Sequence, residues 1–90
     1  VLSEYLESAL KVRDELFLAA VKGQVDKVGS LAHQLKGSSR IVGAIRLGDL
    51  CAELENAGRS EDHIAVKTYM PIMDAELTEV ANNIRSTMAA

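Results

Sequence analysis

The chain has 90 residues, of which 48% are hydrophobic, 26% charged and 3% aromatic, and its formal net charge at pH 7 is −3. This length suits one compact domain with a single core, and the basic residues form no block of the kind that binds nucleic acid. Since no apolar run approaches the roughly 20 residues that cross a bilayer, we expect a soluble domain without nucleic-acid or membrane contacts of its own.

The first helical pattern covers about residues 3–22, with Ser3 as a candidate N-cap. Apolar residues recur in it at helical spacing: Leu6, Ala9, Leu10, Leu16, Phe17 and Ala20. Arg13 interrupts this stripe. Either the helix bends near residues 11–12, or Arg13 extends to solvent from the edge of the stripe. We favour the bend, which divides this region into two consecutive helical pieces.

A second helix is predicted after Gly23 and should run to about Arg40 or Ile41, with Gly43 ending it, because glycine is typical of helix C-termini. The connection at Gly23 is short, so the first two helices should be antiparallel neighbours. The predicted core residues share one face of the second helix: Val25, Val28, Leu31, Ala32, Leu35 and Ser39.

The third predicted helix covers residues 44–57 and is ended by Gly58. Its apolar stripe turns inward and consists of Leu47, Leu50, Cys51 and Leu54. As the only cysteine, Cys51 excludes an internal disulfide and is compatible with a reducing compartment. Its place in the stripe predicts core packing and not a reactive thiol.

A last long helix follows the capping residues 60–62. Its apolar residues repeat with near-heptad spacing: Val66, Met70, Met73, Leu77, Val80 and Ile84. Pro71 predicts a kink, although the apolar phase continues across it, and His63 should be a solvated surface residue. The chain therefore predicts an all-α fold, an antiparallel up-down four-helix bundle with an extra short N-terminal helical piece.

His33 lies well off the apolar face of the second helix. Its neighbours three and four positions away are Gly29, Ser30, Lys36 and Gly37, three of which carry little or no side chain. A glycine inside an exposed helix costs about 0.8–1 kcal/mol relative to alanine, so helix stability does not explain this pattern. The pattern favours a histidine left open to a bulky partner, beside a cation suited to an anion formed there. The alternative is a histidine that is merely solvated.

Other chemistries lack the residues that they need. A metal site requires three or four convergent ligands, whereas this chain has two histidines in different helices and one core cysteine. It also has no glycine-rich loop to hold a nucleotide, so we expect no cofactor and no direct use of ATP. A neutral imidazole is nevertheless a good nucleophile near physiological pH. His33 suits the transfer of phosphoryl groups made elsewhere, with Mg²⁺ and an acidic pocket supplied by the partner.

Several segments together carry a family resemblance: residues 33–39 (His-Gln-Leu-Lys-Gly-Ser-Ser), Val42-Gly43-Ala44, Leu47, Leu50-Cys51 and Leu54-Glu55. Over about residues 16–85 the chain resembles the histidine-containing phosphotransfer (HPt) domain of bacterial phosphorelays. The His-x-x-Lys-Gly core followed by Gly-Ala is far more specific than a lone histidine.

The resemblance implies a monomeric bundle in which His33 accepts a phosphoryl group from an aspartate of a hybrid kinase's receiver domain. His33 then passes the group to the aspartate of a response regulator. It also implies a cytoplasmic module that is not an enzyme on its own. Its parent would be a sensor histidine kinase, which can be anchored in the inner membrane. Residues 1–90 would be one domain from the C-terminal end of that kinase, an interpretation that the missing initiator methionine also favours.

By the same resemblance, His33 is the phosphorylated residue, Lys36 the basic residue beside it and Gly37 the small residue that permits docking. Gly43 and Ala44 match the turn between the two central helices.

Glu55 matches a position on the neighbouring helix that can hold a polar group near the histidine. By accepting a hydrogen bond from Nδ1, Glu55 would leave Nε2 free to attack, although its charge would also repel a phosphate. Ile41 departs from the small or polar residue expected at its place. It either offers an apolar contact to a partner or turns inward.

Two other functions fit the same residues. One is the phosphoacceptor domain of a chemotaxis-type histidine kinase, which receives its phosphate from a kinase domain. The other is a helical adaptor in which His33 has no chemical role.

Overall fold

The computed structural model describes residues 2–89, which form four α-helices and no strand. These are α1 (Leu2–Val21), α2 (Val25–Ile41), α3 (Ile45–Arg59) and α4 (His63–Ala89). Links of three residues join them, and each helix packs against its neighbours in sequence, while α4 also packs against α1. The predicted antiparallel four-helix bundle is therefore confirmed. None of these helices combines the length and apolarity needed to span a bilayer.

The first two links end their helices on a glycine with positive φ, as predicted. The φ angles are +71° at Gly23 and +86° at Gly43, a region that side chains disfavour. At the end of α1 the Gly23 amide donates to the Ala20 carbonyl, and the Gln24 amide to the Ala19 carbonyl. This Schellman arrangement satisfies the last carbonyls of the helix, and it is repeated around Gly43.

The end of α3 differs from its prediction. The residue with positive φ is Glu61 (56°), and α3 continues to Arg59, so the prediction that Gly58 ends this helix is wrong. Gly58 instead lies in a helix crossing. A Cβ there would stand 2.7 Å from both the Gly29 nitrogen and the Val25 carbonyl oxygen. The glycine is needed because the backbones of α2 and α3 touch.

The N-terminal region forms one continuous helix, so the expected division into two pieces, with an extra short N-terminal piece, is wrong. The helix begins at Leu2, which puts Ser3 inside its first turn. Arg13 instead extends from the edge of the apolar stripe, as the second interpretation had it. Its half-buried side chain reaches Asp14 at 3.1 Å and Asp74 of α4 at 3.7 Å. The helix therefore continues through Arg13, because the guanidinium leaves the apolar face at its edge. Phe17, which the sequence pattern placed in the stripe, is 38% exposed and lies outside the buried core.

The last helix begins where its cap was predicted, since the Asp62 carboxylate accepts a hydrogen bond from the Ala65 amide at 3.0 Å. It runs without interruption through Pro71, and a kink there stays a prediction. His63 is exposed as expected, and Val80 is only partly buried.

All four helices contribute to one hydrophobic core, and the predicted stripe of α2 is buried throughout. The most deeply buried side chains are Leu16, Val28, Leu35, Ser39, Leu47, Cys51, Leu54, Met73 and Leu77. The Ser39 hydroxyl is satisfied by the Tyr5 hydroxyl at 2.8 Å, which links α1 to α2 inside the bundle. Because the core holds one face of α2, the opposite face is presented to solvent.

Candidate functional site

His33 lies on the solvent face of α2, and 61% of its side chain is exposed. The ring therefore stands on the outside of the bundle, as the sequence pattern indicated. It is held there by one contact, in which Nδ1 lies 2.9 Å from Oε2 of Glu55 on α3. An ionised carboxylate can only accept hydrogen bonds, so Nδ1 carries the proton of the neutral ring. Nε2 is left with a free lone pair.

Glu55 is the buried centre of the site. Only 6% of its side chain is exposed, and its two oxygens have three partners. Lys36 donates to Oε1 at 2.6 Å, while Oε2 contacts both His33 and Arg59, the latter at 2.8 Å. The close α2–α3 crossing brings these groups together, because Glu55 approaches His33 from the neighbouring helix.

The partners of Glu55 also determine its charge. The hydrogen bond from Lys36 is the largest influence on the pKa of Glu55 and lowers it. Desolvation raises that pKa, whereas the His33 hydrogen bond and the charge of Arg59 lower it, and the net shift is downward. Glu55 is thus a carboxylate at neutral pH, which the hydrogen bond to His33 requires.

The small residues around His33 divide into two groups. A Cβ at Gly37 would meet nothing within 4 Å, and Ser30 is exposed, so this part of the helix surface is open. Gly29 is buried against α3, where its Cβ would lie 3.4 Å from the Arg59 side chain. The expectation that Gly29 clears the surface for a partner is therefore wrong. Gly29 lacks a side chain at a place where α2 packs closely against α3.

Two further candidates lie at the α2–α3 turn and do not contact His33. Ile41 is 86% exposed, which excludes the interpretation that it turns inward. It is eight residues from His33, or about 12 Å along the helix axis. Ala44 is partly buried at the N-cap of α3.

The sequence analysis missed Arg59. The signal was present, since Glu55 and Arg59 are four residues apart on one helix and carry opposite charges. Spacing alone does not show, however, that the pair lies beside a histidine of another helix.

Other chemical groups of the described chain offer no competing site. Residues 2–89 contain no group of three His, Cys, Asp or Glu side chains that could hold a metal ion. Cys51 is buried, and desolvation raises its pKa to about 12, so its thiol is protonated and protected. The predicted core role of Cys51 is confirmed.

The family model described as the Hpt domain matches residues 1–83, a segment that includes His33, Lys36, Glu55 and Arg59. No curated protein and no solved structure matches the chain.

Proposed function

The chain belongs to the Hpt domain family, and on that premise we propose that His33 is its phosphoacceptor. Hpt domains are histidine phosphotransfer modules of phosphorelays that interact with receiver domains and do not use ATP as kinases do. In our proposal His33 takes the phosphoryl group from the aspartyl phosphate of a hybrid kinase's receiver domain. It then gives the group to the aspartate of a response regulator.

The observation that carries this proposal is the hydrogen bond between His33 and Glu55 on an open surface. The bond occupies Nδ1 and leaves the Nε2 lone pair pointing away from its anchor. An exposed ring with a fixed tautomer is a preorganised nucleophile, because neither a proton nor a neighbouring side chain must first be moved.

In the transfer step the Nε2 lone pair attacks phosphorus, and an N–P bond forms. The P–O bond to the aspartyl oxygen breaks, and its electron pair leaves with the carboxylate. The ring keeps its Nδ1 proton and gains positive charge, which the carboxylate of Glu55 stabilises through the existing hydrogen bond. The second transfer reverses these events on another receiver.

Lys36 and Gly37 support this chemistry from the next turn of α2. The ammonium of Lys36 lies close enough to His33 to share its carboxylate partner, so it can also contact a phosphoryl group on the ring. Gly37 leaves the adjacent surface free for the walls of a receiver's pocket. We expect that pocket to supply Mg²⁺, and this chain to need no cofactor.

The direct test is incubation with a phosphorylated receiver domain, followed by detection of acid-labile phosphate on the chain. His33→Gln should abolish transfer, whereas His63→Gln, which alters the other exposed histidine, should transfer like wild type. Full transfer by His33→Gln would refute the proposal. Phosphorylation only by an ATP-loaded kinase domain would favour the chemotaxis-type alternative, and no phosphorylation by either donor would favour the adaptor.

A further inference from the structure

We propose that Arg59 is a positioning residue of this site, which neutralises Glu55 so that the carboxylate can hold the His33 ring without opposing its phosphorylation. The proposal rests on the function proposed above for His33. It addresses a conflict within the site: the hydrogen bond that orients the ring places a negative charge beside a group that will carry a dianion.

The contacts show how the conflict is resolved. Arg59 Nη2 and His33 Nδ1 contact the same oxygen of Glu55, at 2.8 and 2.9 Å. The two nitrogens are therefore separated by no more than the sum of these distances. The ion pair and the hydrogen bond coexist on this oxygen, so Arg59 adds its charge without displacing the ring.

Lys36 alone cannot both neutralise Glu55 and contact a phosphoryl group on His33. In the free protein it is bound to the other oxygen of Glu55, at 2.6 Å. When a phosphoryl group appears on His33, the ammonium is drawn to it, and its contact with the carboxylate weakens. Glu55 is 6% exposed, so without a second cation it would become a poorly solvated negative charge next to a phosphate. Arg59 supplies that cation.

The backbone arrangement keeps Arg59 in this place. Arg59 is one helical turn beyond Glu55 on α3, so the two side chains share a face. Its aliphatic stem passes over Gly29, where a Cβ would stand 3.4 Å from Cγ. The glycine lets the stem of Arg59 lie close to α2. The Arg59 side chain is 64% exposed, and its guanidinium reaches Glu55 from the solvent side.

A double-mutant cycle tests the proposal. The readout is the equilibrium constant for distribution of the phosphoryl group between the receiver aspartate and His33. Arg59→Gln should shift it toward the receiver by about five- to tenfold, the size expected for coupled charges in contact. Arg59→Lys, which keeps the charge, should restore most of the loss. In a Glu55→Gln background the same Arg59→Gln change should have less than about a twofold effect, because no carboxylate remains to be neutralised.

Arg46→Gln is the matched control, since the exposed Arg46 of α3 forms its ion pair with Glu76 of α4 and not with a residue of the site. It should leave the equilibrium unchanged. If Arg59→Gln unfolds the chain, Arg59→Met, which retains the stem over Gly29, replaces it in every arm.

Two results would overturn the proposal: an unchanged equilibrium in Arg59→Gln, or an equal shift with and without Glu55. The second would mean that Arg59 acts on the phosphoryl group directly. Failure of the proposed function itself is separate, because it appears as transfer that persists in His33→Gln.

Discussion

Gly29 and Gly58 bring the backbones of α2 and α3 into direct contact, one helical turn from the hydrogen bond that joins the two helices at the site. A Cβ at position 58 would stand 2.7 Å from the nitrogen and 2.9 Å from the Cα of Gly29. Neither atom can move without moving a helix. The distance between Glu55 and His33 therefore depends on two residues that have no side chain.

We accordingly expect Gly58→Ala to destabilise the fold by about 1–3 kcal/mol, the usual effect of overpacking. Urea unfolding would measure the loss. Gly48→Ala is the comparison, because the three atoms nearest to a Cβ there all belong to the Arg40 side chain, with Cγ at 2.8 Å, so a side chain and not a helix backbone must shift. It should cost clearly less than Gly58→Ala, because the Arg40 side chain can adjust whereas the backbone of α2 cannot. Equal losses in the two variants would contradict a backbone contact.

Gly37 should respond in the opposite direction. It lies inside α2 with nothing within 4 Å of its absent Cβ, so Gly37→Ala should stabilise the domain by up to about 1 kcal/mol. Gly37→Gln should likewise keep or raise helicity, which circular dichroism would show, yet slow transfer from a phosphorylated receiver. Normal transfer by Gly37→Gln would mean that the glycine is not there to admit a partner.

Periodicity and caps predicted most of this fold because they are properties of single helices. The buried stripe of α2 repeats every three or four residues, and Gly23 and Gly43 end helices wherever those helices pack. Contacts between helices leave no such local signal. Gly58 is a residue typical of helix ends, but the crossing with α2 determines its role.

At the site, too, properties of single helices were predicted from the pattern, and contacts that depend on helix packing were not. The exposure of His33 followed from its angle to the apolar stripe, and the contact with Glu55 from the family resemblance. Arg59 was missed, and Gly29 was given the wrong face, since both depend on how closely α3 approaches α2. That approach is set by packing across the whole interface.

The contributions of the buried Tyr5 and Ser39 hydroxyls to the stability of the fold should depend on each other, because the two form a hydrogen bond. Burial raises the pKa of Tyr5, so its hydroxyl stays protonated beside Ser39 at 2.8 Å. Tyr5→Phe leaves the Ser39 hydroxyl unpaired in the core and should cost about 1–3 kcal/mol. Adding Ser39→Ala should recover part of this loss, because the orphaned group is removed. A double variant as unstable as the sum of both single variants would show that the two hydroxyls are not coupled.

Cys51 should be almost inert to thiol reagents in the folded domain. Its pKa of about 12 leaves a negligible thiolate fraction at pH 8, and its side chain is buried. Alkylation by iodoacetamide, followed by mass spectrometry, should be at least about a hundredfold slower than in urea-unfolded protein. Rapid modification without denaturant would indicate that α3 opens readily.

Glu55 should make the stability of the domain sensitive to acid. Its pKa in the folded protein lies below its ordinary value of 4.5, so folding favours the ionised form. The stabilisation is fully present above the pKa of the unfolded chain and is lost as the pH falls through the lower, folded-state pKa. Glu55→Gln should cost about 1–2 kcal/mol at pH 7, since it weakens hydrogen bonds to charged groups, and the difference from wild type should shrink toward pH 3. Glu53→Gln, which changes an exposed glutamate of the same helix, should show no such convergence. Urea unfolding of the three proteins between pH 7 and 3 makes the comparison, and a constant gap between wild type and Glu55→Gln would show that the carboxylate is not held by its cations.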